Sequence, residues 1–330
     1  MRKSTACKQA ATDWQKPYST QFMGLVTETG WLQKTGKHRI HWVHAKRTPA
    51  GSNKPGHGNT VSDEGKSGGI LFAPPLIGAG FSNEIGNLRG FLRKGYELFS
   101  FNYAGHGKSS GRFRLRTTLR DTAHALEFLL ERAGEKPVYG IASCYSAIPL
   151  IHAAHSRGEP LEKIVLVNAV SRILPRATIA SFASYYRSRF AGRLCLDTMT
   201  GAARRYVADL FPGIAFDRHF FGALSRSRTD VAGILRDALF SDPLGGVILH
   251  RTPVLGLYAK QDRVLQIYDT SVGEHYERQL LETCPKTTFY PLPGDHFLSC
   301  TASRSTAQKK ILDFLARRPR SAAPISHATA

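Results

Sequence analysis

Val138–Ala147 reads VYGIASCYSA, and this stretch decides the fold. An apolar strand signal runs into the pattern small–x–nucleophile–x–small, and an apolar helix signal follows to Ser156. A nucleophile displayed on a sharp strand-to-helix turn needs small neighbours two places before and after it, because the strained backbone leaves them no room. Two registers fit. One centres on Cys144, flanked by Ala142 and Ser146. The other centres on Ser143, flanked by the bulky Ile141 and Tyr145. Sterics favour Cys144, and the helix start behind it is expected to favour the thiolate.

Strand and helix signals alternate outward from this turn. Phe22–Leu32 and Arg39–Lys46 read as two strands rich in Val, Thr, Trp and Ile. The stretch 47–69 holds Pro, Gly, Ser and Asn with almost nothing apolar, which predicts a flexible loop. Strands are then predicted at Gly69–Phe72, Tyr96–Tyr103, Pro137–Ala142 and Lys163–Ala169, with helices at Asn83–Lys94, Thr117–Ala133 and Ser146–Ser156. The rhythm stops near Ser171 and resumes at Pro253–Tyr258, followed by a strand at Lys286–Tyr290 and a helix at Ser305–Ala316. This is the pattern of an α/β fold with a mostly parallel sheet flanked by helices. Residues 1–18 read as a frayed start, 19–170 and 251–318 as the core, 171–250 as a helical cap inserted before the acid-bearing strand, and 319–330 as a disordered basic tail.

Two later segments give the turn its chemistry. The strand PVLGLY leads to AKQDRVL and places Asp262 just past a strand end. The strand TTFYPL leads to PGDHFL and places His296 in a loop. Nucleophile, acid and histidine in this chain order, each after its own strand, form the constellation for nucleophilic acyl chemistry. Asp295 is a weaker candidate for the acid, since its place beside His296 makes a bond awkward. The backbone N–H of Tyr145 is the first expected oxyanion donor. The second comes from the loop after Gly69–Phe72. Pro74 and Pro75 have no N–H, so Leu76 or Ile77 is expected there.

These motifs, with APPLIGAG (73–80) and FNYAGHGKSSG (101–111), resemble those of the α/β-hydrolase-fold superfamily over roughly residues 22–318. Within it the elbow is most similar to that of the acyl-carrier-protein acyltransferases of luminous bacteria, where Ala and Ser also flank the nucleophile and the nucleophile is Ser. Here Cys144 stands in that place, Ala142 and Ser146 replace the two usual glycines, and Tyr103–Ala104 replace the acidic and basic residues often found before GHGKSSG. The resemblance implies an acyltransferase of fatty-acid-derived or polyketide-like metabolism, with an S-acyl-enzyme and no cofactor. The expected donor is an acyl carrier protein or CoA thioester, and the expected acceptor a small molecule. A thioesterase or ester/lactone hydrolase with a Cys nucleophile is the alternative. A ligand-binding member without turnover is a third reading, against which the triad order argues.

Composition narrows the partners. In 330 residues there are 45 Lys plus Arg against 25 Asp plus Glu, a formal net charge of +20. Such a surface attracts acidic partners, among them carrier proteins. Five Cys with no CxxC spacing argue against a disulfide scaffold or a metal site and point to a cytoplasmic setting. No apolar run reaches the ~20 residues of a membrane span. GHGKSSG fails the phosphate-loop pattern because Asn102 stands where a Gly is needed, and GAGFSN fails the dinucleotide pattern at Asn83. The aromatic–basic mix near Phe182–Phe190 is read as lid packing, with no nucleic-acid role. His38, His41 and His44, three apart on a strand, alternate faces and are expected to be solvated or locally satisfied.

Overall fold

The computed structural model describes residues 20–22, 25–33, 38–47, 68–74, 90–171, 175–190, 205–206, 230, 233–234, 236–237, 242–268, 274–296, 298 and 300–317. Among them, nine strands form one sheet. In chain order these are β1 (Thr20–Phe22), β2 (Leu25–Gln33), β3 (Arg39–Arg47), β4 (Gly69–Ala73), β5 (Glu97–Phe101), β6 (Val138–Ser143), β7 (Lys163–Val167), β8 (Val254–Ala259) and β9 (Thr287–Leu292). Their order across the sheet is β1-β2-β3-β5-β4-β6-β7-β8-β9. The β5-β4-β6-β7-β8-β9 run is parallel, and β1, β2 and β3 join antiparallel.

The central parallel strands are apolar runs because both their faces are covered, while the edge strand β9 stays partly exposed. β4 and β8 are buried at every position. The described helices are α1 (Leu115–Ala133), α2 (Ala147–Ser156), α3 (Pro175–Phe190), α4 (Arg263–Tyr268), α5 (Glu274–Thr283) and α6 (Thr301–Ala316). Two apolar clusters form the core. One holds Leu71, Phe99, Leu126, Ile148 and Leu166, and the other holds Ile70, Leu98, Val165, Leu257 and Ile311. Adjacent residues of one strand enter different clusters, as the two-residue strand period requires.

Chain order reverses at β4, with β5 on one side and β6 on the other. Open parallel sheets present their ligand crevice at such a switch point, outside the strand C-termini. β6 ends there.

The first strand signal resolves into two elements. β1 and β2 pair antiparallel, with Phe22 opposite Leu25. β3 lies between β2 and β5, so His41 and His44 are buried rather than solvated. His44 Nε2 meets Glu97 Oε2 at 3.0 Å, and His41 Nδ1 meets Asn102 Nδ2 at 3.2 Å. The partners stand on or just past β5, so the satisfaction is long-range. Burial, aided by the Lys108 charge, holds the His41 pKa down at about 4. The frayed start (1–18), most of the 47–69 loop, GAGFSN, most of 171–250 and the 319–330 tail lie outside the described residues.

Candidate active site

The turn after β6 is built by its own small side chains. Ser143 is extended at φ −129°, and Cys144 stands in the left-handed region at φ 53°. The residue in the strained conformation at the turn is therefore Cys144, not Ser143. Ser146 closes the turn. Its hydroxyl accepts the Ser143 N–H at 3.0 Å and donates to the Ser143 carbonyl at 2.7 Å. A serine at the second flank thus adds a hydrogen-bonded brace that glycine lacks. Behind the turn, a Cβ on Gly140 would stand 2.9 Å from Leu161 and 3.0 Å from Leu150 of α2. Gly140 lets α2 pack close under the turn. The Val170 N–H, just past β7, donates to the Cys144 carbonyl at 3.0 Å and ties the turn to its neighbour strand.

His296 and Asp262 meet Cys144 at the same strand ends. His296 Nδ1 and Asp262 Oδ2 are 2.7 Å apart, and both residues are buried. Asp262 Oδ1 accepts the N–H groups of Val264 at 2.8 Å and Leu265 at 3.0 Å. The carboxylate caps the start of α4 with one oxygen and orients the imidazole with the other. Asp262, not Asp295, is the carboxylate on Nδ1. With Nδ1 so engaged, Nε2 is the ring nitrogen left for the Cys144 thiol, to which His296 is hydrogen-bonded. Burial alone would lower the His296 pKa. The negative charge at Cys144 and the Asp262 carboxylate outweigh it and push the pKa up to about 10.

Asn168 is a site residue that the sequence reading missed. It follows β7, is buried, and has φ 46°, a region asparagine tolerates better than most residues. Its Nδ2 donates to the His296 carbonyl at 2.6 Å, and its Oδ1 accepts the Ala259 N–H at 2.7 Å. One amide therefore spans the loop of the histidine and the end of the strand leading to the acid. A polar residue near the end of KIVLVNA is the one local signal for it, and that signal names no partner.

The Tyr145 N–H opens the helical turn, where N–H groups lack intrahelical acceptors. The Tyr145 hydroxyl meets Thr118 Oγ1 at 2.8 Å and donates to the Leu115 carbonyl at 3.4 Å, so the first turn of α1 packs against the elbow. Leu76 and Ile77 lie outside the described residues. α3, in the stretch between β7 and β8, approaches α4 just after Asp262. At its other end that stretch is pinned to α1 through the Arg114–Asp230 ion pair.

The arrangement can hold a thiol, relay its proton and cradle an oxyanion. The model of the Alpha/beta hydrolase family matches residues 70–299. Solved structures share the fold at low identity. A hydrolase from Pseudomonas aeruginosa PA01 is 17% identical with TM-score 0.57, over 88% of this chain and 98% of that one. Epoxide hydrolase A from Mycobacterium thermoresistibile is 16% identical with TM-score 0.57, over 88% and 98%. A thioesterase domain from the curacin biosynthetic pathway is 14% identical with TM-score 0.53, over 87% and 99%. No curated protein matches. With this core, this chain order and a family match over most of its length, the chain belongs to the α/β hydrolase family.

Proposed function

We propose that the protein is an acyltransferase that carries its acyl group on Cys144. The observation that supports this most is a thiol at φ 53° on the elbow, hydrogen-bonded to a histidine whose far nitrogen is held by a buried carboxylate. The likeness of the elbow to that of the luminous-bacteria acyltransferases supports the same reading.

The roles follow from the chemistry. Cys144 Sγ attacks the carbonyl carbon of a thioester, its proton having passed to His296 Nε2. The developing oxyanion is held by the Tyr145 N–H and by an N–H of the loop after β4, with Leu76 or Ile77 as the proposed donor. The C–S bond to the donor breaks, and the leaving thiolate takes the proton from Nε2. Thioester exchange onto sulfur is close to isoenergetic, so the acyl group can wait. A small acceptor then gives its proton to Nε2, attacks the S-acyl carbon and leaves with the acyl group, and the Cys144 thiolate returns to pairing with the imidazolium. Asp262 keeps the imidazole in one tautomer and offsets its positive charge. No step calls for a cofactor. Hydrolysis is the second reading, favoured by the hydrolase and thioesterase neighbours; water then takes the place of the acceptor.

Intact mass after mixing with acyl thioesters tests both readings. The expected result is one acyl adduct in the wild type and in Ser143→Ala, none in Cys144→Ala, and discharge on adding an amine or alcohol acceptor. Rapid release of free acid without an adduct would favour hydrolysis. Loss of the adduct in Ser143→Ala alone would overturn the assignment of the nucleophile.

A further inference from the structure

Residues 101–120 hold Lys108, Arg112, Arg114, Arg116 and Arg120 and no Asp or Glu. The fold carries this stretch from the C-terminal end of β5 to the first turns of α1, on the rim where β6 delivers Cys144. The Tyr145 bonds to Thr118 and Leu115 fix the start of α1 directly against the elbow.

The charge on this rim runs against the helix. The N-terminus of a helix is its positive end and favours carboxylates. The first turn of α1 has none and carries Arg116 instead. Arg120, one turn on, shares its face, so two like charges repel at i,i+4. The nearby acidic groups leave that repulsion in place. Asp230 takes up Arg114 and lies in the field of Arg112. Asp237 and Asp121 are buried and accept the backbone N–H groups of Arg116 and Ala104. Among the described residues, the side chains of Arg116, Arg120 and Lys108 pair with no carboxylate, and all three residues are exposed. Asp237 meets the positive end of the helix through the Arg116 N–H, but the side-chain charges of Arg116 and Arg120 still repel one another, and an anion from outside would stabilise them.

We infer that this rim is the docking surface for an acidic carrier protein that presents the acyl thioester to Cys144. The inference rests on the acyl-transfer reading and names its donor. A small phosphate would call for convergent buried donors, whereas these side chains are exposed on a loop and two helical turns. Arg116 and Arg120 are about 6 Å apart along α1. That spacing suits carboxylates on successive turns of an acidic partner helix.

The test measures kcat/KM with one acyl group on three donors: an acyl carrier protein, CoA and pantetheine. Wild type, Arg116→Glu, Arg120→Glu and the double variant are compared. The expected loss in the double variant is about a hundredfold for the carrier-protein donor, carried mostly by KM and at least tenfold greater than any loss for pantetheine. Raising the salt should shrink the wild-type preference for the carrier-protein donor. Arg116→Gln, which removes the charge without setting a second carboxylate beside Asp237, should melt no lower than wild type and lose activity only on the carrier-protein donor, which separates docking from folding. Equal losses on all donors, or none, would overturn the docking surface. A loss confined to the CoA donor would overturn it in favour of a nucleotide phosphate. If none of the three donors labels Cys144, the acyl-transfer reading itself falls, and the docking proposal falls with it.

Discussion

Cys144 and Asn168 are both left-handed residues at the ends of adjacent strands, and each bends its chain toward His296. The imidazole pKa reports whether the three groups act together. Two negative neighbours raise it, so removing either should lower it. A His296 titration followed by NMR should place the wild-type pKa near 10 and show a drop in both Cys144→Ala and Asp262→Asn. An unchanged value in Cys144→Ala would break the link between thiol and imidazole. Asn168→Ala deletes two buried hydrogen bonds and should cost about 2–4 kcal/mol of stability. It should also lower kcat more than it raises KM, because the change acts on the anchoring of His296. Single-turnover acylation at fixed donor concentration would separate these effects. The meeting of Cys144, Asp262 and His296 was legible because each residue follows a strand, in a fixed chain order. Asn168 was not, since its role depends on a partner 128 residues away in sequence.

At the scale of elements, the parallel strands were legible wherever both faces are buried, because such strands read as unbroken apolar runs. β6 and β8 fall within a residue of their predicted starts. The antiparallel edge was harder to read. The continuous strand-like composition of residues 20–33 hides the division between β1 and β2, and the burial of His41 and His44 follows from β5 pairing with β3, a contact between distant segments. The His44–Glu97 bond across that pairing has a measurable consequence. The hydrogen bond from His44 holds the Glu97 carboxyl at about 2, with Lys136 helping against the opposing effect of burial. A depressed folded-state pKa contributes stability above the unfolded value near 4.5, and that stability is lost as pH falls through about 2. Glu97→Gln should therefore cost about 1–2 kcal/mol at pH 7, after discounting for solvent screening, and nothing below pH 2. Urea melts across that range would show the two proteins converging. Gly140→Val should be far more damaging, at about 2–4 kcal/mol, because its side chain would force α2 away from the elbow.

For the whole molecule, a lysine from the middle of the chain holds the end of α6. Lys163, at the start of β7, is buried, and its Nζ donates to the carbonyls of Phe314 at 2.9 Å, Leu315 at 3.0 Å and Arg317, where α6 ends. A cation at the C-terminus of a helix satisfies carbonyls that have no partner within it. Burial lowers the Lys163 pKa, and these bonds retain the amine in place. Lys163→Met should lower stability by about 1–3 kcal/mol and speed hydrogen exchange at Ile311–Ala316 more than in β4. This clasp is not legible from the residues alone, because a lysine opening a strand reads as an ordinary exposed charge. Among the described residues, no helix is long and apolar enough to cross a membrane. Under the proposed function, an acyl thioester brought to Cys144 can also acylate exposed amines of the chain itself. Lys163 is shielded from that chemistry for as long as α6 stays docked. Modification found there by peptide mapping would therefore date from a moment when the C-terminal helix had come away, making this one amine a built-in recorder of the molecule's opening.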